Sequence, residues 1–127
     1  MSHYSVYKTK VGNVNTELVK QAIRSLAREI GAEITDAVVT ATGQIHSVLI
    51  GLKTKKLPNG IGFGVNNGVL TIHGDKYGQE FEFRRISQLA QNYVKAYKVA
   101  QTARTTYPTA NIQITTRQKE VILEVVV

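Results

Sequence analysis

The tightest constraint on this chain is how its apolar periodicity switches between Glu33 and His73. Glu33 to Thr40 is β-branched, and Ile45 to Thr54 follows after Thr42-Gly43. Ile61 to Val65 and Val69 to His73 flank Asn66-Asn67-Gly68. Each run has strand length, and the connections span only a few residues. A parallel neighbour needs a crossover of a dozen residues or more, so these strands pair antiparallel. Asn-Gly between two such runs is a strong hairpin signal, because a type I′ turn needs positive φ at both central residues. Leu57-Pro58-Asn59-Gly60 is expected to turn too, with Pro presetting φ and Asn-Gly supplying left-handed positions.

Helical patterns flank this meander. Tyr4 to Lys10 alternates as a first strand, broken by Gly12-Asn13. Asn15 is placed to cap a helix over Thr16–Ile30, with Glu17 where a negative charge suits the helix dipole. Val19, Ala22, Ile23, Leu26, Ala27 and Ile30 form one stripe, and Gly31 supplies the stop. A second helix is expected from Arg84 to Ala103, its core face formed by Ile86, Leu89, Ala90, Tyr93, Tyr97 and Ala100. At 100° per residue, Arg84, Gln91, Lys95 and Lys98 project onto the opposite face, and Arg104 onto the apolar side, as fraying or snorkelling. Glu80-Phe81-Glu82-Phe83 alternates and either extends the meander or leads into this helix. Asn111 to Thr116 and Glu120 to Val127 read as a terminal hairpin across Arg117-Gln118.

The resulting order is β-α-β-β-β-β-α-β-β. It predicts an α+β two-layer sandwich, a mainly antiparallel sheet with two amphipathic helices on one face. The chain of 127 residues is the length of a single domain, 1–127. With no cysteine, it has no disulfide scaffold, thiolate zinc site or cysteine nucleophile. No apolar run reaches signal-peptide or membrane-spanning length, so a cytoplasmic protein without a membrane span is expected.

Charge is segregated. From Phe83 to Lys119 there is no Asp or Glu, yet the stretch holds Arg84, Arg85, Lys95, Lys98, Arg104, Arg117 and Lys119. The net charge is +7. Nucleic acid, phosphorylated ligands and anionic surfaces are the partners such a balance favours. Three basic groups stand out: Lys53, Lys55 and Lys56 before Pro58, Lys20, Arg24 and Arg28 on the first helix, and Arg84, Lys95 and Lys98 on the second. A solvated helix face is the commonest source of such rows. Tyr77, Phe81 and Tyr107 are candidate stacking surfaces.

No reaction is announced. His3, His46 and His73 each sit alone in a strand pattern, without helical pairing or a carboxylate at metal spacing. Gly60-Ile61-Gly62-Phe63-Gly64 lacks the strand–loop–helix context of a dinucleotide site; its glycines are expected to let the backbone approach a helix or form a bulge. Glu80 and Glu82 would share a sheet face as solvated carboxylates. No nucleophile elbow or catalytic triad signature is present.

The opening Met1-Ser2-His3-Tyr4-Ser5, then Lys8-Thr9-Lys10, together with Ile61-Gly62-Phe63, resembles an uncharacterised family, the hypothetical chloroplast reading frame thirty-five, also found in cyanobacteria and other prokaryotes. Similar length, an early helix, a second long helix and a closing strand extend the likeness in outline. Gly60 before the triplet and the absence of Trp depart from the family pattern. The resemblance implies a small soluble accessory protein and lends no site residues.

The expectation is a non-enzymatic binding module without cofactor or metal. Lys53, Lys55, Lys56, Arg84, Lys95 and Lys98 would engage RNA, ribosome-like particles or another polyanion. The alternative is a protein–protein adaptor or self-assembling subunit using the open sheet face or the C-terminal edge strand Val121–Val127.

Overall fold

The Asn15 side chain accepts a hydrogen bond from the Leu18 amide at 2.9 Å, and Gly31 takes the left-handed conformation at φ 69°. Helix α1 therefore runs over Thr16–Ile30, as its stripe predicts. The computed structural model describes residues 3–117 and 120–126. Around α1 lie β1 (Ser5–Lys8), β2 (Glu33–Val39), β3 (Ile45–Thr54), β4 (Leu57–Asn66), β5 (Val69–Gly74), α2 (Glu80–Thr106), β6 (Asn111–Arg117) and β7 (Glu120–Val126). The order is the predicted one and the class is α+β.

Five strands form one antiparallel sheet in the order β1-β5-β4-β3-β2, while β6 and β7 pair as a separate two-stranded sheet. The β4–β5 hairpin turns at Asn67 and Gly68, with φ of 51° and 75°, as a type I′ turn requires. Ile61 and Phe63 of β4, with Ile50, Leu52, Leu70 and Ile72 of its neighbours, face the helices and are at most 3% exposed. Ile23 and Leu26 of α1 meet Ile86, Ala90 and Tyr93 of α2 in the same core, each fully buried. Burying each large apolar side chain contributes roughly 1.5–3 kcal/mol. The terminal hairpin lies against α2, adding Ile114 and Val121 to the core rim.

Three local expectations need correction. Leu57-Pro58-Asn59-Gly60 is not a turn; the chain turns at Lys55-Lys56, and Leu57 already pairs with Thr54. Leu57 is fully buried, so the core draws it into β4. The positive φ of Gly60, 83°, is absorbed where the β3–β4 register shifts. Pro58 needs no donor there, and the Asn59 amide is satisfied by Gln79 Oε1 at 3.2 Å. Second, Glu80-Phe81-Glu82-Phe83 is the first turn of α2, not a strand. Residues two apart fall about 200° apart on a helix, so Phe83 is 2% exposed while Phe81 is 81% exposed. Glu80 and Glu82 therefore share no sheet face. Third, the sheet face away from the helices is not simply open. β2 lies against β4 and β5, with which it does not pair, and the Ala41 amide donates to Asp75 Oδ2 at 2.9 Å across that gap. The predicted Arg117-Gln118 turn and Lys119 fall partly outside the described residues, as do Met1, Ser2 and Val127.

On the covered face β4 has no side chains at Gly62 and Gly64. A Cβ at Gly62 would stand 2.5 Å from Val48 Cγ1, and one at Gly64 would stand 3.0 Å from His73 Nε2. The glycine-rich run thus provides the close approach its sequence suggests, although what approaches is Val48 and His73 and not a helix.

Candidate functional site

Pairing of β1 with β5 brings Lys8 opposite Thr71 and sets β1 beside the first turns of α2. The chain continues along β5 past the end of β1: the Thr9 amide donates to Leu70 O at 3.1 Å, and the Leu70 amide to Val11 O at 2.9 Å. Between this strand and α2 runs a groove of about 380 Å³. Lys8, Lys10, Lys76 and Arg84 line it, with Tyr7, Phe83, Ser87 and Gln91, and among the described residues no carboxylate lines it. Lys76 Nζ lies 5.0 Å from the centre of the Tyr7 ring, a cation–π contact that holds the ammonium at the groove wall. The Tyr7 ring in turn meets Phe83 edge-on at 6.0 Å. A groove with apolar walls and one sign of charge concentrates anions.

The sequence-derived candidates divide. Arg84 belongs to this groove, although its guanidinium also meets Glu80 at 2.5 Å on a well-exposed surface. Lys95 is exposed on α2, eleven residues on from Arg84 and so about 16 Å along the helix. Lys98 is engaged internally: its Nζ donates to Gly12 O at 2.5 Å, tying α2 to the loop before α1. It is half-buried, and its projection onto a freely solvated face does not describe it. Lys55 and Lys56 are exposed at the β3–β4 turn, while Lys53 sits opposite Glu33 on β2. Lys56 is close enough to Glu82 to help hold that carboxyl below the usual range, after the larger effect of its hydrogen bond from Arg85. The first-helix row separates as well. Arg24 and Arg28 line a shallow cleft with Tyr97 and Arg104.

Lys8, Lys10 and Lys76 are absent from the sequence-derived set. They lie on segments some seventy residues apart, and only the strand order, with β1 beside β5, joins them. The alternation of Lys8 and Lys10 about Thr9 was the available signal, but nothing in sequence says which element β1 borders.

The histidines do not assemble one site. His46 stacks on Tyr4 at 3.9 Å between centroids, and His73 Nδ1 shares a 2.6 Å hydrogen bond with the Tyr4 hydroxyl. His73 Nε2 is bonded to Thr71 Oγ1 at 2.8 Å. This cluster joins the residue before β1 to β5 and β3 across the covered sheet face. Among the described residues His46 Nε2 is buried without a hydrogen-bond partner. Burial pushes the His73 imidazole below the usual histidine range and the Tyr4 phenol above its own. His3 lies elsewhere, in a cleft with Asp75, Tyr77 and Glu80. Among the described residues no group of three or more His, Cys, Asp or Glu side chains is placed to hold a metal ion. Among the same residues no helix is long and apolar enough to cross a membrane. No protein-family model, curated protein or solved structure matches this chain.

Proposed function

We propose that this is a non-enzymatic, cytoplasmic binding protein whose groove between β1 and α2 takes the phosphate backbone of RNA or another polyanion. The observation that carries the reading is that Lys8, Lys10, Lys76 and Arg84 border one groove and that no carboxylate is among its described lining residues. Phosphate contacts of this kind are largely sequence-blind and release counterions. The likeness to the chloroplast reading frame family, with its small accessory proteins, is part of the same proposal. Fluorescence anisotropy with labelled mixed-sequence RNA at low salt tests it. Saturable binding that unlabelled heparin displaces is the expected result; no binding at low salt contradicts it.

A second reading, self-assembly through the C-terminal hairpin, has its own support. A two-stranded sheet leaves one backbone edge free on each strand, and Ile122 and Val126 of β7 are 37% and 55% exposed. Concentration-dependent light scattering separates the readings, since a strict monomer at high concentration excludes the second.

A further inference from the structure

We infer that the groove's ligand is a single strand of nucleic acid whose unpaired bases stack on Phe81 and Tyr77; this rests on the polyanion reading above and narrows it. Phe81 is 81% exposed and Tyr77 57%, the one in the first turn of α2 and the other just before it. Tyr77 lines the neighbouring cleft, which shares Tyr7 and Lys76 with the groove. Tyr77 directly follows Lys76, and Phe81 shares a helix face with Arg84 three residues on. Phe83 explains why Phe81 is turned outward: with Phe83 anchored in the core, the helix directs the ring two positions earlier to solvent.

The charges beside the rings sort the two halves of a nucleotide. Glu80, between Tyr77 and Phe81 in sequence, is exposed and paired with Arg84, so it disfavours a phosphate at the rings. Among the described lining residues of the groove there is no carboxylate beside Lys8 and Lys10, whereas Lys76 also lines the cleft with Asp75 and Glu80, so the backbone lies along Lys8 and Lys10 and the bases turn toward the aromatic side. Only unpaired bases offer free π faces, and every base has one. A duplex keeps its bases stacked internally and gains nothing from these rings. Single-stranded selectivity without strong sequence preference follows.

The test compares an unstructured RNA oligomer with a duplex of equal length, using wild type, Phe81→Ala and Tyr77→Ala/Phe81→Ala. Because both rings are exposed, thermal stability should not change. The double variant is expected to bind the single strand about tenfold or more weakly, with the salt slope and the duplex affinity unchanged. Single-strand affinity equal to wild type, with the salt slope intact, overturns the stacking inference and leaves the polyanion reading standing. Equal wild-type affinity for duplex and single strand also overturns it. Loss of self-association in the double variant, with RNA binding unaffected, assigns the rings to a protein contact and overturns it too. Absence of binding to either RNA at low salt removes the polyanion reading itself.

Discussion

Gly62→Ala should be among the more damaging single-methyl additions in this protein. The new Cβ would lie 2.5 Å from Val48 Cγ1, 2.9 Å from Val48 Cβ and 3.1 Å from Val48 Cγ2. Carbon atoms in contact prefer about 3.5–4.0 Å, so the intrusion reaches about 1 Å. Valine is stiff at χ1, and turning it cannot move its own Cβ away. Relief therefore requires β3 and β4 to part where Gly51 pairs with Gly62. Overpacking of this kind costs about 1–3 kcal/mol, and the immobile obstacle places Gly62→Ala in the upper half of that range. Val48→Ala should cost about 1 kcal/mol on its own, because the side chain is only half-buried. In the double variant the clashing methyls are gone and only the Cβ–Cβ contact stays tight. The double should therefore be at least 1 kcal/mol more stable than the sum of the single effects. Urea unfolding followed by circular dichroism, with an unchanged m-value, gives the three free energies. A neutral Gly62→Ala, or additivity within about 0.5 kcal/mol, refutes the claim that β4 lacks a side chain there to admit Val48.

Two other perturbations have defined signs. Lys98→Met keeps the apolar stem but removes the ammonium bonded to Gly12 O; urea midpoints should show a loss of about 1–2 kcal/mol with no change in the salt slope of RNA binding. His73 titrates below the usual range when folded, while the unfolded chain takes up this proton near pH 6.5. Below about pH 6.5 the unfolded state thus binds more protons, and stability falls as pH drops toward the folded value. Above about pH 7.5 the group contributes no slope. Urea midpoints across pH 5 to 8 for wild type and His73→Gln measure this; an identical slope in both shows that His73 does not carry it.

The elements that were legible were those whose local chemistry had one solution. Helix α1 combines a cap, a stripe and a glycine stop, and its ends match the structure. The Asn66-Asn67-Gly68 hairpin follows from backbone sterics alone. Glu80-Phe81-Glu82-Phe83 misled because alternation over four residues fits a strand face and also the two sides of a helix. Gly60 misled because a left-handed glycine serves a bulge as well as a turn. For the candidate groove, Arg84 was visible as part of a helix row, but Lys8, Lys10 and Lys76 depend on which strand borders which. That is a non-local property, and short-range periodicity carries no information about it.

The central claim is that the β1–α2 groove, and not the β3–β4 turn, holds the phosphates. Its most direct measurement is the slope of log affinity against log salt for one RNA oligomer and three proteins. These are wild type, a groove variant with Lys8, Lys10, Lys76 and Arg84 changed to Gln, and a turn variant with Lys53, Lys55 and Lys56 changed to Gln. Each phosphate contact on a single strand contributes about −0.7 to the slope, so four groove cations contribute between −2 and −3 once Arg84 is discounted for Glu80. The groove variant should lose about that much slope and most of its affinity, while the turn variant stays close to wild type. A full slope in the groove variant and a reduced slope in the turn variant would contradict the account.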